Sequence, residues 1–359
     1  MNVQRAVELQ EQAWSLQAEG KLDDAWLRCR EALQLMEASD GPDSPDVANL
    51  LNDLAEIETE RQNFPAALAL AERAQAIADG LGDGFRGEEA ARIRLRTLEI
   101  TGELRRMLGD YARAEVDLER ALMAAVAEFG EASAEVAEAR NNLGVLYKHW
   151  GRFEDGLRLY RQALRSAGQD PLGRATVYHN IGGILYAQGD FAAAEEPARK
   201  AWEISRGLLG EDDPRTMLDA AAYAGVLDGL GRRGESDLIC RKALEIFEKA
   251  YGPEHYEVAA NLHSLAALLA ARGEYQAAEE HYRRALAVKE KLLGAESPDA
   301  ALTRHNLGSM LNRIGRAAEA VPLLEGAVAV LEKRLTPGHP HLTLARGNLQ
   351  SAISSLMDC

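Results

Sequence analysis

The sequence predicts an all-α superhelix of about eight helix pairs closed by a C-terminal capping helix, and three self-alignments predict it. At a period near 42 residues, Gly20, Gln62, Gly109, Gly151, Gly189, Gly231, Gly273 and Gly315 mark equivalent points. Twelve residues after each point stands alanine: Ala32, Ala74, Ala121, Ala163, Ala201, Ala243, Ala285 and Ala327. Seven residues before each stands a small residue: Ala13, Ala55, Gly102, Gly144, Gly182, Ala224, Ala266 and Gly308. Two helices that cross at short distance need a residue without bulk where they touch. Here that need recurs once per helix in every unit, which is the mark of stacked repeats instead of one large core.

Each unit reads as helix A, a tight turn, helix B and a loop. The glycine at the turn suits a left-handed backbone position after a helix end. Two residues later an aromatic usually follows, as in Phe64, Tyr111, Phe153, Phe191 and Tyr275, placed to cover the turn. The loops carry the breakers, among them GPDSPDV at 41–47, GEDDPRT at 210–216 and PGHPHLT at 337–343. Proline there ends helix B and fits the first turn of the next helix A. The repeats fall near 1–40, 41–82, 88–130, 131–168, 171–210, 211–252, 253–294 and 295–337, in one solenoid. Residues 340–357 read as a capping helix. The spacing lengthens around 79–87 and shortens around 166–174, where changes of superhelical pitch are expected.

With 47% hydrophobic and 27% charged residues, the chain can bury ample apolar surface. A net charge of −16 argues against nucleic acid or an anionic membrane surface as partner, since both select for Lys/Arg excess. Cys29, Cys240 and Cys359 are odd in number and far apart, as reduced thiols would be. No stretch reaches the length of a membrane span and the N-terminus lacks a signal-type apolar core, so the chain reads as cytoplasmic. Trp14, Trp26, Trp150 and Trp202 fall at helical spacing and read mostly as packing residues.

The unit at 136–168, VAEARNNLGVLYKHWGRFEDGLRLYRQALRSAG, and the stretch at 256–308 resemble the kinesin-light-chain type of tetratricopeptide repeat. The resemblance covers essentially the whole chain and implies a right-handed α-α superhelix. It also implies a concave surface of helices A that binds peptides or partner helices. Alanine, arginine, glycine and leucine usage suggests a bacterial, GC-rich source.

Ten residues before the glycine points, helix A carries Asn52, Asn141, His179, His263 and His305. The next position gives Asn142, Asn180 and Asn306, with Asn348 in the capping helix. A carboxamide offers both donor and acceptor to an extended peptide, so these residues are expected to line a partner-binding groove. The alternative is that they brace neighbouring helices A. The histidine column also raises a metal site, but no cysteine or carboxylate stands at the same position to complete a zinc set, and no metal or cofactor is expected.

Summed over the fifteen residues before each glycine point, the helix A charge is zero, so the negative charge lies in helices B, loops and termini. Arg140, Lys148, Arg174 and Arg304, with Arg94, Arg96, Arg313 and Arg346, tilt the inner face positive. That predicts an acidic or aromatic–acidic partner segment, against the alternative of ion pairs on helix surfaces. The sixth repeat departs most, with Arg233 in place of the aromatic and Ala221–Ala222 in place of polar residues.

No P-loop, HExxH or GxSxG stands in the chain, so no catalytic residue is assigned. The expected function is a protein- or peptide-binding adaptor or regulatory scaffold. An enzyme or small-molecule receptor, with a His/Arg/Asn-lined pocket inside the superhelix, is the alternative. Self-association through the capping helix or the convex face is compatible with either.

Overall fold

Proline and a short polar cap start four of the helices A. Ser44 caps α3 by accepting from the Val47 amide, and Pro45 takes the first helical position. Asp170 and Pro171, Asp213 and Pro214, and Ser297 and Pro298 repeat the device for α9, α11 and α15. The computed structural model describes residues 2–81, 87–166 and 170–357, all organised as helices joined by turns and loops. In order they are α1 (Asn2–Ala18), α2 (Leu22–Asp40), α3 (Pro45–Glu60), α4 (Phe64–Gly80), α5 (Glu88–Met107), α6 (Tyr111–Phe129), α7 (Ala134–Trp150) and α8 (Phe153–Ser166). There follow α9 (Pro171–Ala187), α10 (Phe191–Leu209), α11 (Pro214–Gly229), α12 (Arg233–Tyr251), α13 (Tyr256–Ala271), α14 (Tyr275–Leu293), α15 (Pro298–Arg313), α16 (Ala317–Arg334) and α17 (Pro340–Met357). Odd-numbered helices are the helices A, even-numbered ones the helices B, and α17 is the expected capping helix.

Every glycine at the turn between A and B has positive φ, from +73° to +87°, and Gln62 takes the same conformation at φ 62°. The amide of Gly20 bonds the Gln17 carbonyl and that of Lys21 bonds Leu16, a closure repeated at Gln62–Asn63 on Thr59 and Glu58. All eight column alanines are buried to 1% exposure or less. The small residues seven before the turn are buried as well. At Gly144 the Tyr160 ring lies where a side chain would go: an added Cβ would stand 2.5 Å from its Cε1.

Two compact units divide the chain, Met1–Leu143 and Gly144–Cys359. In the first, α1 to α4 share a core of Leu9, Leu50, Leu51, Leu54 and Ile57 packed on Ala13, Ala25 and Ala32. In the second, Leu265, Leu269, Tyr282, Leu307, Leu311 and Leu324 form a cluster, joined by Ala352 of the capping helix. Each unit is an α–α solenoid of helix pairs.

Some expectations shift. Trp14 is 47% exposed and so is not a packing residue, whereas Trp26 and Trp202 pack against cores. Cys29 and Cys240 are buried free thiols, and burial pushes Cys240 up to about 11. Cys359 and the centres of both irregular loops, 82–86 and 167–169, lie outside the described residues.

Candidate functional site

In the first unit the inner helices α3 and α5 meet through Arg96. Its guanidinium donates to Asn49 Oδ1 at 2.8 Å, Asp53 Oδ1 at 2.7 Å and Glu56 at 2.7 and 2.9 Å. Asp53 is 1% exposed and also accepts from Gln10 Nε2 at 2.6 Å. A cavity of about 450 Å3 opens beside this fork, lined by Asp46, Asn49, Glu88, Glu89, Arg92, Ile93 and Arg96. One turn further along α5, Asn142 of α7 donates to Glu99 Oε1 at 3.4 Å, and Asn141 donates to Asn142 at the same distance. Burial, then the fields of Glu138, Glu103 and Glu135, pushes the Glu99 carboxyl up to about 8. Burial first, then Glu135 and Glu103, also raises Glu138. This face therefore holds one carboxyl, Glu99, that keeps its proton near neutrality.

Other residues of the expected groove serve the fold. Asn52 is fully buried and donates to Thr97 Oγ1 at 2.7 Å, tying α3 to α5. Arg140 is fastened to Glu131, through its side chain and its carbonyl, in the loop before α7. Arg94 reaches the Ala78 and Leu81 carbonyls at the end of α4.

In the second unit the histidine and asparagine columns bond to each other. Asn306 Nδ2 donates to His263 Nε2 at 3.0 Å, and Asn348 Nδ2 to His305 Nε2 at 2.9 Å and Ser309 Oγ at 2.8 Å. Thr303 gives its hydroxyl proton to the Asp299 carbonyl, so it accepts from His263 Nδ1, 3.0 Å away. Both imidazoles are held neutral: burial, then Lys289, lowers His263 to about 3, and burial, then His341, lowers His305 to about 4. His179 pairs instead with Asp219 Oδ1 at 2.7 Å, and Asp219 accepts Ser205 Oγ at 2.5 Å. In the sixth repeat Ala222 stands where the asparagine would be, so no amide there can reach His179.

Asn180 is buried at 6% exposure. Lys148 lies against Gly183, its Nζ 3.4 Å from where a Cβ would sit, and Arg174 rests on Tyr178. Arg304 is bound to Glu290 at 2.8 Å and to the Ala295 carbonyl at 2.5 Å. Arg346, one repeat later, pairs with Glu332, and Arg233 pairs with Asp228 on the exposed surface. Arg96, Arg140, Arg304 and Arg346 are each paired with neighbouring acids, the arrangement described by the alternative of ion pairs on helix surfaces.

Sequence reasoning missed a cluster around Asp299. Tyr256 Oη donates to its carboxylate, and the 5%-exposed Lys289 faces it from α14. Burial works to raise Asp299, but Lys289, then His149, the Tyr256 hydrogen bond and His263 outweigh it and hold the carboxyl below the usual range. The periodicity carried a signal for it, since Tyr256 and Asp299 stand 43 residues apart, as do Asn306 and His263. Among the described residues no three His, Cys, Asp or Glu side chains are grouped to hold a metal ion, and no helix is long and apolar enough to cross a membrane.

A family model described as tetratricopeptide repeat matches residues 4–79, 94–169, 218–291 and 263–333, and a second of the same description matches 174–215. A Rap protein complexed with competence and sporulation factor is similar in structure, with a TM-score of 0.62 at 14% identity, covering 99% of either chain. The apo quorum sensor NprR from B. thuringiensis gives a TM-score of 0.60 at 14% identity, over 91% of this chain and 87% of its own. Repeats assigned to a kinesin light chain of Podosopora anserina are 25% identical over 53% of this chain and 90% of theirs, with a TM-score of 0.42. No curated protein sequence matches the chain. At these identities the first two likenesses establish the solenoid fold.

Proposed function

The chain belongs to the tetratricopeptide repeat family, and on that premise we propose that it is a regulatory scaffold that holds a protein or peptide segment on the inner face of α3, α5 and α7. The observation that carries this reading is the crowding of Glu99, Glu103, Glu135 and Glu138 on that face, with Glu99 pushed up to about 8. Carboxyls held together at such cost are relieved by a cation from outside. The segment therefore carries a lysine or arginine, set beside the cavity at Asn49, Arg92 and Arg96 where its neighbouring residues lie. Asn141 and Asn142 stand on the same helix to meet its backbone amides. The Rap protein of the same fold, solved with competence and sporulation factor, is a precedent for the architecture alone. The buried thiols Cys29 and Cys240 support a reducing, cytoplasmic setting.

The test is fluorescence polarisation with labelled short peptides in matched pairs that differ only by Lys-to-Glu reversal. The basic member of a pair is expected to bind, and Glu99→Gln with Glu138→Gln to weaken it about tenfold, the loss of one charge-assisted bond. Equal binding of both members, or binding indifferent to the double variant, rejects the reading. A second reading, a small-molecule receptor, draws on the convergence of Tyr256, Lys289, His149 and His263 on Asp299 in the second unit. Loss of binding of a retained metabolite in Lys289→Met, with peptide binding intact, would favour it.

A further inference from the structure

A solenoid repeat touches its neighbours and little else. The second unit departs from that rule at the turn after α7. Thr336 Oγ1 donates to the main-chain carbonyl of Trp150 at 3.3 Å, across 186 positions of sequence. The His339 ring fills the space beside Gly151, where an added Cβ would stand 2.4 Å from His339 Cδ2 and 3.1 Å from Thr336 Oγ1. Gly151 has a φ of +87°, so its left-handed backbone and its bare Cα together admit the imidazole. Phe153 meets the same ring at 5.7 Å between centroids. His339 is 3% exposed although it sits in a loop.

We propose that the loop between α16 and α17 is a latch that seats on the turn between α7 and α8 and closes the inner face of the second unit. The contact is small beside the helix-long interfaces between neighbouring repeats, so it can release while every repeat stays folded. What it closes over is the cluster at Asp299. His149, one residue before Trp150, and His341, two residues after His339, both act on that carboxylate from opposite ends of the unit. The latch thus holds the first and last helices of the unit against one acid, and its release uncouples them.

The chemistry of His339 makes release responsive to acid. Its Nδ1 caps α17 by accepting from the His341 amide at 3.1 Å, so the buried ring must be neutral with its proton on Nε2. Protonating Nδ1 abolishes the cap and places a charge against Gly151 and Phe153. The titratable groups around it are His341, stacked at 5.1 Å, and, on the facing turn, His149 and Arg152, the latter paired with Asp155. None of the three is an acid, and Asp299 acts on His341 and His149 instead of on His339. Burial, then His341, lowers His339 to about 4, in keeping with this geometry.

The test is a pulsed-EPR distance between spin labels on Arg158→Cys of α8 and Lys333→Cys of α16, both exposed, in the full chain carrying Cys359→Ser. Cys29 and Cys240 are buried and stay unlabelled. The latch-opening variant is His339→Ser with Thr336→Val. Serine keeps a capping oxygen, as Ser297 does for α15, but removes the ring from Gly151. At pH 7 the parent should give one distance. The variant should add a longer one, and so should the parent as pH falls from 7 towards 5. A single unchanged distance in the folded variant, judged by circular dichroism, overturns the proposal. If the variant loses helicity, hydrogen exchange in the parent decides. The amides at 151–153 and 338–343 should then exchange together and roughly tenfold faster at pH 5 than at pH 7, after correction for intrinsic rates. Exchange of these amides only through global unfolding also overturns the proposal.

Discussion

Asn306 donates from Nδ2 to Nε2 of His263, 3.0 Å away, and so joins one helix A to the next through the two side-chain columns that the repeat brings into register. Asn348 and His305 repeat the bond one helix pair later, and Asn142 and Glu99 make its counterpart in the first unit. The column that could clamp a ligand is, in α13, α15 and α17, a hydrogen-bonded ladder between repeats. Removing one rung should cost about 1–2 kcal/mol, because it leaves a half-buried imidazole nitrogen without its donor. Urea denaturation of Asn306→Ala, His263→Ala and the double variant measures it. A coupling energy of about 1 kcal/mol is expected between the two sites, and additive losses would mean that the bond contributes nothing.

The same ladder sets a pH dependence. His263 and His305 have folded values of about 3 and 4, below the usual histidine range, with burial the largest cause for either. Protons therefore bind the unfolded chain first as pH falls below about 6.5. Stability contributed by the neutral rings is complete above that pH and declines as pH drops towards 4, each ring adding up to about 1.4 kcal/mol per pH unit. Thermal melts between pH 7.5 and 5 should fall steeply, and His305→Gln should flatten the fall. A wild-type profile level over that range contradicts the neutral, buried assignment.

Glu99 works in the opposite direction. Its folded value, raised to about 8, lies above its unfolded one. Its contribution to stability is thus complete below about pH 4.5 and is lost as pH rises through 8. Glu99→Gln keeps an acceptor for Asn142 and removes the ionisation, so it should be more stable than the parent at pH 8 by about 1–3 kcal/mol and little different at pH 4.5. The same variant should bind basic peptides less well, and such opposed effects are the signature of a site strained for function. A variant no more stable at pH 8 would show that Glu99 is well solvated.

The repeat made the fold legible. Glycine, alanine and small-residue columns reflect backbone conformation and close helix contact, and both are local demands that recur at a fixed period. The site was legible only in part. Histidine and asparagine columns could be found, with bracing between helices A as the alternative, but not which residue bonds which, because a bond between adjacent columns of successive repeats depends on how the helices stack. The charge sum left out partners of the cations for a specific reason. The fifteen-residue windows open two to six residues inside the helices and omit Asp46, Glu88, Glu89, Glu135, Glu257 and Asp299, acids of the first helical turns. They also omit acids that pair with cations that were counted: Arg140 is bound to Glu131 and Arg304 to Glu290. Contacts between distant repeats, such as Thr336 with Trp150, leave no periodic trace at all.

Arg96 and Asp53 test how far the first unit rests on its ion pairs. Asp53 is buried, and burial raises its carboxyl against the opposing pull of Arg96. Arg96→Ala leaves that charge unpaired, and the expected loss is about 3 kcal/mol, since stranding a buried ion is costlier than never having it. Arg96→Met with Asp53→Asn should recover most of this, because asparagine keeps an acceptor for Gln10. Guanidinium unfolding followed by circular dichroism measures the three proteins. A double variant no better than the single one would place the loss in side-chain packing of the arginine stem.

Gly144 tests the close-packing rule that first revealed the repeat. A Cβ at that position would stand 2.5 Å from Cε1 and 2.9 Å from Cδ1 of Tyr160, a ring that is wholly buried within the core shared by Leu157, Ala163 and Ile184. The ring cannot withdraw without displacing those side chains, so Gly144→Ala should destabilise by about 1–3 kcal/mol despite the better helix propensity of alanine. Gly182 is the control on the same column. Its added Cβ would meet Ala198 Cβ at 3.1 Å and the α10 backbone at 3.2 Å, a conflict that a few tenths of an ångström relieve. Gly182→Ala should therefore cost less than Gly144→Ala. Thermal denaturation orders the two, and the reverse order would mean that helix separation in each pair is set by something other than the residue at this column.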